Sequence, residues 1–215
     1  LPLKESGYTV DDNARALLVA VNMDDIENKT FSDTYLSFLS SAQKPDGSFT
    51  NLKIGDTFLP TIDSEDSIGR AFMACCFVLH NGRVSNDLKV TSEKLIRNTL
   101  PIIERIRSLR AASYILIGLV TLLTDGYVRP VIYTHAGEIA SYLKSSYHDN
   151  MTDTWKWFEG WLTYCNAVLP HSLFSYYAIT GDRDSLNVAE ESLGFLTDSL
   201  LKNGYLSVVG NRGWW

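Results

Sequence analysis

The feature that most constrains this chain is an alternation between two kinds of helix. Eight segments carry apolar residues at helical spacing: Asp12–Asn22, Ser32–Gln43, Glu65–Leu79, Asn86–Ile106, Leu109–Leu123, Pro130–Tyr147, Asn166–Ile179 and Asp184–Leu201. The first, third, fifth and seventh are rich in apolar and small residues, whereas the others are amphipathic. Buried and half-exposed helices taking turns predict two layers, an all-α array of helical hairpins with inner and outer members. Ser32 or Asp33 is placed to cap the second helix and Pro45 to stop it, and Pro101 marks a kink or break in the fourth. A long loop, Lys44–Asp63, follows the second helix, and a tryptophan-rich loop, His148–Tyr164, precedes the seventh.

Two internal repeats support the hairpin reading. "FLSSAQKPDGSF" from Phe38 aligns without gaps on "FLTDSLLKNGYL" from Phe195, so that Gly47 falls on Gly204 and Phe49 on Leu206. Both stretches leave a helix through a turn that needs positive φ, which glycine supplies. "DDNARA" opens the first helix and "EDSIGRA" the third, each an acidic pair with an arginine one turn on. If the inner helices run parallel, these N-termini share one rim.

With 215 residues the chain has room for one sizeable core and reads as a single domain, 1–215. A net charge of -6 argues against a nucleic-acid or anionic-lipid partner. The longest apolar run, Tyr114–Leu123, is too short to insert in a membrane. No signal-peptide pattern is present, and the lack of an initial Met leaves room for an upstream segment. Cys75 and Cys76 are adjacent, Cys165 stands alone, and no metal spacing appears; all three read as buried, reduced thiols of a cytoplasmic protein, with no cofactor. Sequons at Asn28 and Asn150 matter only in an exported protein.

"GYTVDDNARA", "SEDSIGRA", "WKWFEGWLTYCNAVLPHSL" and "VGNRGWW", spread from Gly7 to Trp215, together resemble a helical domain family of bacteria and archaea that looks like six-hairpin glycosidases. The resemblance implies an α/α toroid, incomplete here because eight helices make four of the six hairpins. It also implies a carbohydrate-linked role, with an oligosaccharide or glycoside ligand and a glycosyltransferase as possible partner. Relatives of this kind more often carry Asp at the position of Cys165, so an acidic role there is missing from this chain. Fold and neighbourhood alone do not give a reaction.

The candidate chemistry lies on the expected rim. One of Asp11 and Asp12 is explained by the helix dipole and free backbone N–H groups, but not both. The expectation is that Asp12 faces a cavity with Glu65 or Asp66 while Asp11 caps, with Asn13 beside them and Arg15 and Arg70 as cationic partners. Glycoside hydrolysis needs two carboxyls flanking the scissile bond, and Asp12, Glu65, Asp66 and Glu159 are the catalytic candidates. Glu159 sits among Trp155, Trp157, Trp161 and Tyr164, just before Asn166. Aromatic rings stack on the apolar faces of sugars, and a carboxylate among them is easily desolvated, as a general acid requires. The competing reading of this stretch is a hydrophobic plug. Asn211, Arg212 and Trp214 complete the substrate-binding set, with the arginine placed for sugar hydroxyls or a carboxylate. His135 and His171 have no partner set and read as structural.

A glycosidase is thus weighed against a non-catalytic sugar-binding or scaffolding domain. A more remote reading is an isoprenoid cyclase, because "QKPDGSF" resembles the Q-x-x-D-G-x-W turn of those toroids. "DDNAR", however, does not match their acidic D-D-x-x-D motif.

Overall fold

A computed structural model describes residues 4–23, 28–124, 130–202 and 204–210. Eight α-helices dominate these residues: α1 Val10–Asn22, α2 Asn28–Ala42, α3 Glu65–His80, α4 Asn86–Thr99, α5 Leu109–Thr124, α6 Pro130–Asn150, α7 Val168–Thr180 and α8 Arg183–Leu200. The fold is mostly helical, as the apolar periodicity predicts. Among the described residues no helix is long and apolar enough to cross a membrane.

Two layers are visible in the packing. Helices α1, α3, α5 and α7 contact one another in sequence, and α2, α4, α6 and α8 each lie against the inner helix that precedes them. The centre is α5, buried without interruption from Leu109 to Val120, as its apolar, small-residue sequence dictates. It meets α3 at close range, because a Cβ on Gly69 would lie 2.7 Å from the Ala111 carbonyl oxygen. This contact fixes the N-terminal ends of α3 and α5 side by side, beneath the site described below.

The helix breaks follow local chemistry. Proline has no N–H and restricts the residue before it, so α4 ends at Thr99 and a 3-10 segment, Leu100–Arg105, carries Pro101. The second helix corrects its expected start: Ser32 is buried inside α2 rather than capping it.

The stretch read as a long loop holds two strands of a small antiparallel sheet. β1 Tyr8–Thr9 pairs with β2 Leu52–Ile54, which pairs with β3 Thr57–Leu59 through Gly55 and Asp56. Strands of two and three residues are too short to show a two-residue period. The sheet ties the entry of α1 to the segment after α2, and Val10 N–H donates to Asn51 O at 2.9 Å.

The repeat has a structural counterpart. Gly47 and Gly204 both have left-handed backbones, with φ of 89° and 81°. Gln43 bridges Phe49 after the first, and β4 Leu201–Lys202 pairs with β5 Tyr205–Leu206 around the second. A Cβ at Gly47 would run into the Asn98 carbonyl. Gln43 Nε2 donates to Leu95 O at 3.0 Å and to Thr99 Oγ1 at 3.1 Å, so the "QKPDG" turn bolts α2 to α4.

Candidate functional site

The N-terminal ends of the inner helices converge on one polar cleft of about 670 Å³. Its wall takes Asp11 and Arg15 from α1, Ser64, Glu65, Asp66 and Arg70 from the start of α3, Ser108 from the entry to α5, and Tyr164 and Cys165 from the loop before α7. Contributions from four successive inner helices at one end require those helices to run in the same direction.

Asp11 is a half-buried carboxylate on this wall, with 23% of its side chain exposed. Asn51, itself buried, accepts the Asp11 backbone N–H on Oδ1 at 3.3 Å and donates from Nδ2 to Asp11 Oδ2 at 3.3 Å. The other Asp11 oxygen, Oδ1, lies 3.3 Å from Arg70 Nε, within ion-pair distance but without hydrogen-bond alignment. It is therefore a buried acceptor with no hydrogen-bond donor among the described residues, a condition that calls for an explanation. Burial pushes the Asp11 carboxyl above its ordinary value, against the Arg70 charge and the Asn51 hydrogen bond, which pull it down.

The expected roles of Asp11 and Asp12 are exchanged. Thr9 is the N-cap of α1: its Oγ1 accepts the Asp12 N–H at 3.1 Å and donates to Asp12 Oδ2 at 2.8 Å, a reciprocal pair like a capping box. Asp12 also pairs with Arg15 at 2.8 Å, and 69% of its side chain is exposed, away from the cleft lining. Asn13 donates back to Thr9 O at 2.7 Å and finishes the cap.

Glu65 and Asp66 line the cleft but are held by α5. Glu65 Oε2 accepts the backbone N–H groups of Arg107 (2.7 Å) and Ser108, so it serves the N-terminus of that helix. Asp66 accepts from Ser108 Oγ and from the Tyr164 hydroxyl, each at 2.8 Å. Arg70 stacks on Tyr114, with its guanidinium carbon 4.3 Å from the ring centroid, and donates to Cys165 Sγ at 3.5 Å.

Cys165 is exposed rather than buried, and its φ of 45° is left-handed, uncommon for a residue with a Cβ. Burial acts to raise its thiol pKa. Hydrogen bonds from Tyr114 and Arg70, with the Arg70 charge, outweigh burial and leave it lowered. Cys75 and Cys76 are buried in α3, and burial pushes Cys75 up to about 12. All three thiols are free.

The tryptophan loop divides between core and surface. Trp157 and Phe158 are fully buried, and Trp155 packs edge-on against Phe195 with its indole N–H donating to Glu159 O at 2.6 Å. These rings form the plug. Trp161 is 62% exposed and lies outside the cleft lining. Glu159 is not among the residues of the cleft wall; Arg110 Nη1 sits 2.9 Å from each of its oxygens and hydrogen-bonds through Oε1. Arg110, buried in α5, also donates to Tyr164 O at 2.6 Å and to Asn166 Oδ1 at 3.1 Å. Asn166 is thereby part of a loop anchor. Asn211, Arg212 and Trp214 lie outside the described residues.

Beside the polar cleft runs an apolar groove of about 640 Å³, and the two share Tyr164 and Cys165. Leu193, Leu196 and Leu200 of α8 also line the groove.

Sequence reasoning missed Asn51, Ser108, Arg110 and Tyr114. The "GD" pair after Leu52–Ile54 is a two-residue turn signal that points to the sheet, and so to Asn51. Arg110 carries a signal too, as the one charged residue in the apolar segment Leu109–Leu123. Comparison of the chain with protein-family models, curated proteins and solved structures found no match.

Proposed function

We propose that the cleft binds a glycoside and cleaves it with acid assistance, within a helical array of the α/α-toroid kind. The observation that carries this reading is Asp11: a carboxyl whose pKa is raised by burial and one of whose oxygens accepts no hydrogen bond, in one cleft with a second carboxylate, Asp66. A carboxyl whose pKa is raised by burial holds its proton to higher pH and is suited to protonate a leaving-group oxygen, and a second carboxylate in the same cleft is suited to activate water or attack the sugar carbon. Arg15 and Arg70 supply donors for sugar hydroxyls. In this assignment Asp11, expected from sequence as a cap, stands in the cleft with Asp66, where Asp12 was expected to stand.

A second reading, a non-catalytic sugar-binding domain serving a glycosyltransferase, draws on a different observation. Glu65 and Asp66 already accept hydrogen bonds from the α5 entry and Tyr164, and a thiol stands at Cys165.

A panel of aryl glycosides and reducing oligosaccharides separates the two. Hydrolysis is expected for at least one member, with turnover falling by about 10²-fold or more in Asp11→Asn. Saturable binding without product supports the second reading. Neither binding nor turnover across the panel rejects both.

A further inference from the structure

We propose that Glu104, His135 and Glu138 form a binding site for a divalent transition-metal ion, separate from the cleft. Glu104 comes from the 3-10 segment after α4, and His135 and Glu138 stand three residues apart on α6. The three residues bring potential ligand atoms within 4.8 Å of one another. His135 reads as structural from sequence alone because its third ligand lies 31 positions upstream.

His135 is 7% exposed. Its Nδ1 lies 3.2 Å from Glu138 Oε2. Two ligand atoms on a tetrahedral zinc ion stand about 3.3 Å apart, given bonds of about 2.0–2.1 Å. One edge of the coordination shell is therefore already at the right length. Glu104 is exposed, with its ligand atom within 4.8 Å of the other two, so its side chain is open to a change of rotamer on binding an ion.

Charge points the same way. A His135–Glu138 hydrogen bond alone leaves a second carboxylate, Glu104, beside the first. Arg107, a cation that lines the same cavity, directs Nη1 to the backbone carbonyls of Glu104 and Ile106 at 2.8 and 2.9 Å. Among the described residues no side chain cation pairs with Glu104, and two like charges close together are unfavourable without one. A divalent ion answers that imbalance. One imidazole with two carboxylates suits zinc and its neighbours over calcium or magnesium, which prefer oxygen alone. The adjoining cavity of about 370 Å³, lined by Glu104, Arg107, Glu138 and Tyr142, leaves room for water in the remaining positions.

The test is calorimetric titration of the full chain with Zn²⁺, with Mg²⁺ in parallel, followed by Co²⁺ absorption. One equivalent of Zn²⁺ should bind, far more tightly than Mg²⁺. Glu104→Gln, an exposed change that leaves the core untouched, should weaken it by about tenfold or more, as should His135→Gln. The cobalt spectrum should lack a sulfur charge-transfer band. No Zn²⁺ binding overturns the proposal, as does binding that survives Glu104→Gln or a cobalt spectrum showing that Cys165 is the ligand.

Discussion

Asn51 grips Asp11 at two points, accepting its backbone N–H and donating to its carboxylate, both at 3.3 Å. The same side chain donates to Ile62 O at 3.1 Å, and its backbone N–H donates to Asp63 Oδ1 at 2.8 Å. One buried amide thus joins the start of α1 to the approach to α3. It sets the position of Asp11 in the cleft before any ligand arrives.

Asn51→Ala should therefore disturb both stability and the site. It leaves a backbone N–H and two carbonyl or carboxylate acceptors without their partner, at a cost of about 1–3 kcal/mol. Thermal or denaturant unfolding measures this. Asn51→Asp should be worse than its small size change suggests, because it sets a second carboxylate against Asp11.

Asp11 itself makes a signed prediction for pH. Its pKa is raised in the folded chain, so its contribution to stability is fully present below the unfolded value and is lost as pH rises through the folded value. Asp11→Asn removes that loss. The melting temperature of the variant relative to wild type should increase as pH rises from about 3 to 6, following the ordinary carboxylate range. A relative melting temperature that falls over this window would mean that the ionised carboxylate stabilises the fold.

Arg110 and Glu159 are assigned to the loop anchor rather than to chemistry. Arg110→Ala removes donors to Glu159, Tyr164 and Asn166 from a buried position and should cost about 3–5 kcal/mol. Glu159→Gln keeps an acceptor for Arg110 and should lower the melting temperature while leaving kcat on any glycoside substrate within about twofold, since mutant kinetics separate the two effects.

Cys165 should be the one thiol of the native chain that reacts readily. Disulfide reagents should modify it with a pH midpoint below the ordinary thiol value, and Tyr114→Phe should move that midpoint up. Cys75 and Cys76 should react only in denaturant, where all three thiols are counted.

The helices were legible because burial and exposure alternate along them and because Pro101, Gly47 and Gly204 mark their ends. The convergence of "DDNAR" and "EDSIGRA" on one rim followed from the same alternation. The assignment within "DD" did not follow. The sequence places the helix start at Asp12, whereas Thr9 caps it and Val10 begins it. Side chains turn about 100° per residue, so a two-residue shift in start changes which carboxylate faces inward. The tryptophan loop was ambiguous for another reason. Aromatic residues serve equally as sugar platforms and as core, and Phe158 and Trp157 pack against Tyr147 of α6 and Phe195 of α8.

The central claim is that the cleft at the inner-helix N-termini holds the ligand, with Asp11 inside it and Asp12 outside. Calorimetric titration of a glycan selected from the panel, against wild type, Asp11→Asn and Asp12→Asn, tests this directly. Loss of Asp11 should weaken binding by about tenfold or more, as expected for the loss of a hydrogen bond between the ligand and a largely desolvated carboxyl. Loss of the exposed Asp12 should leave affinity within about twofold and cost no more than about 1 kcal/mol of stability. Weakening by Asp12→Asn with unchanged affinity in Asp11→Asn would contradict the account.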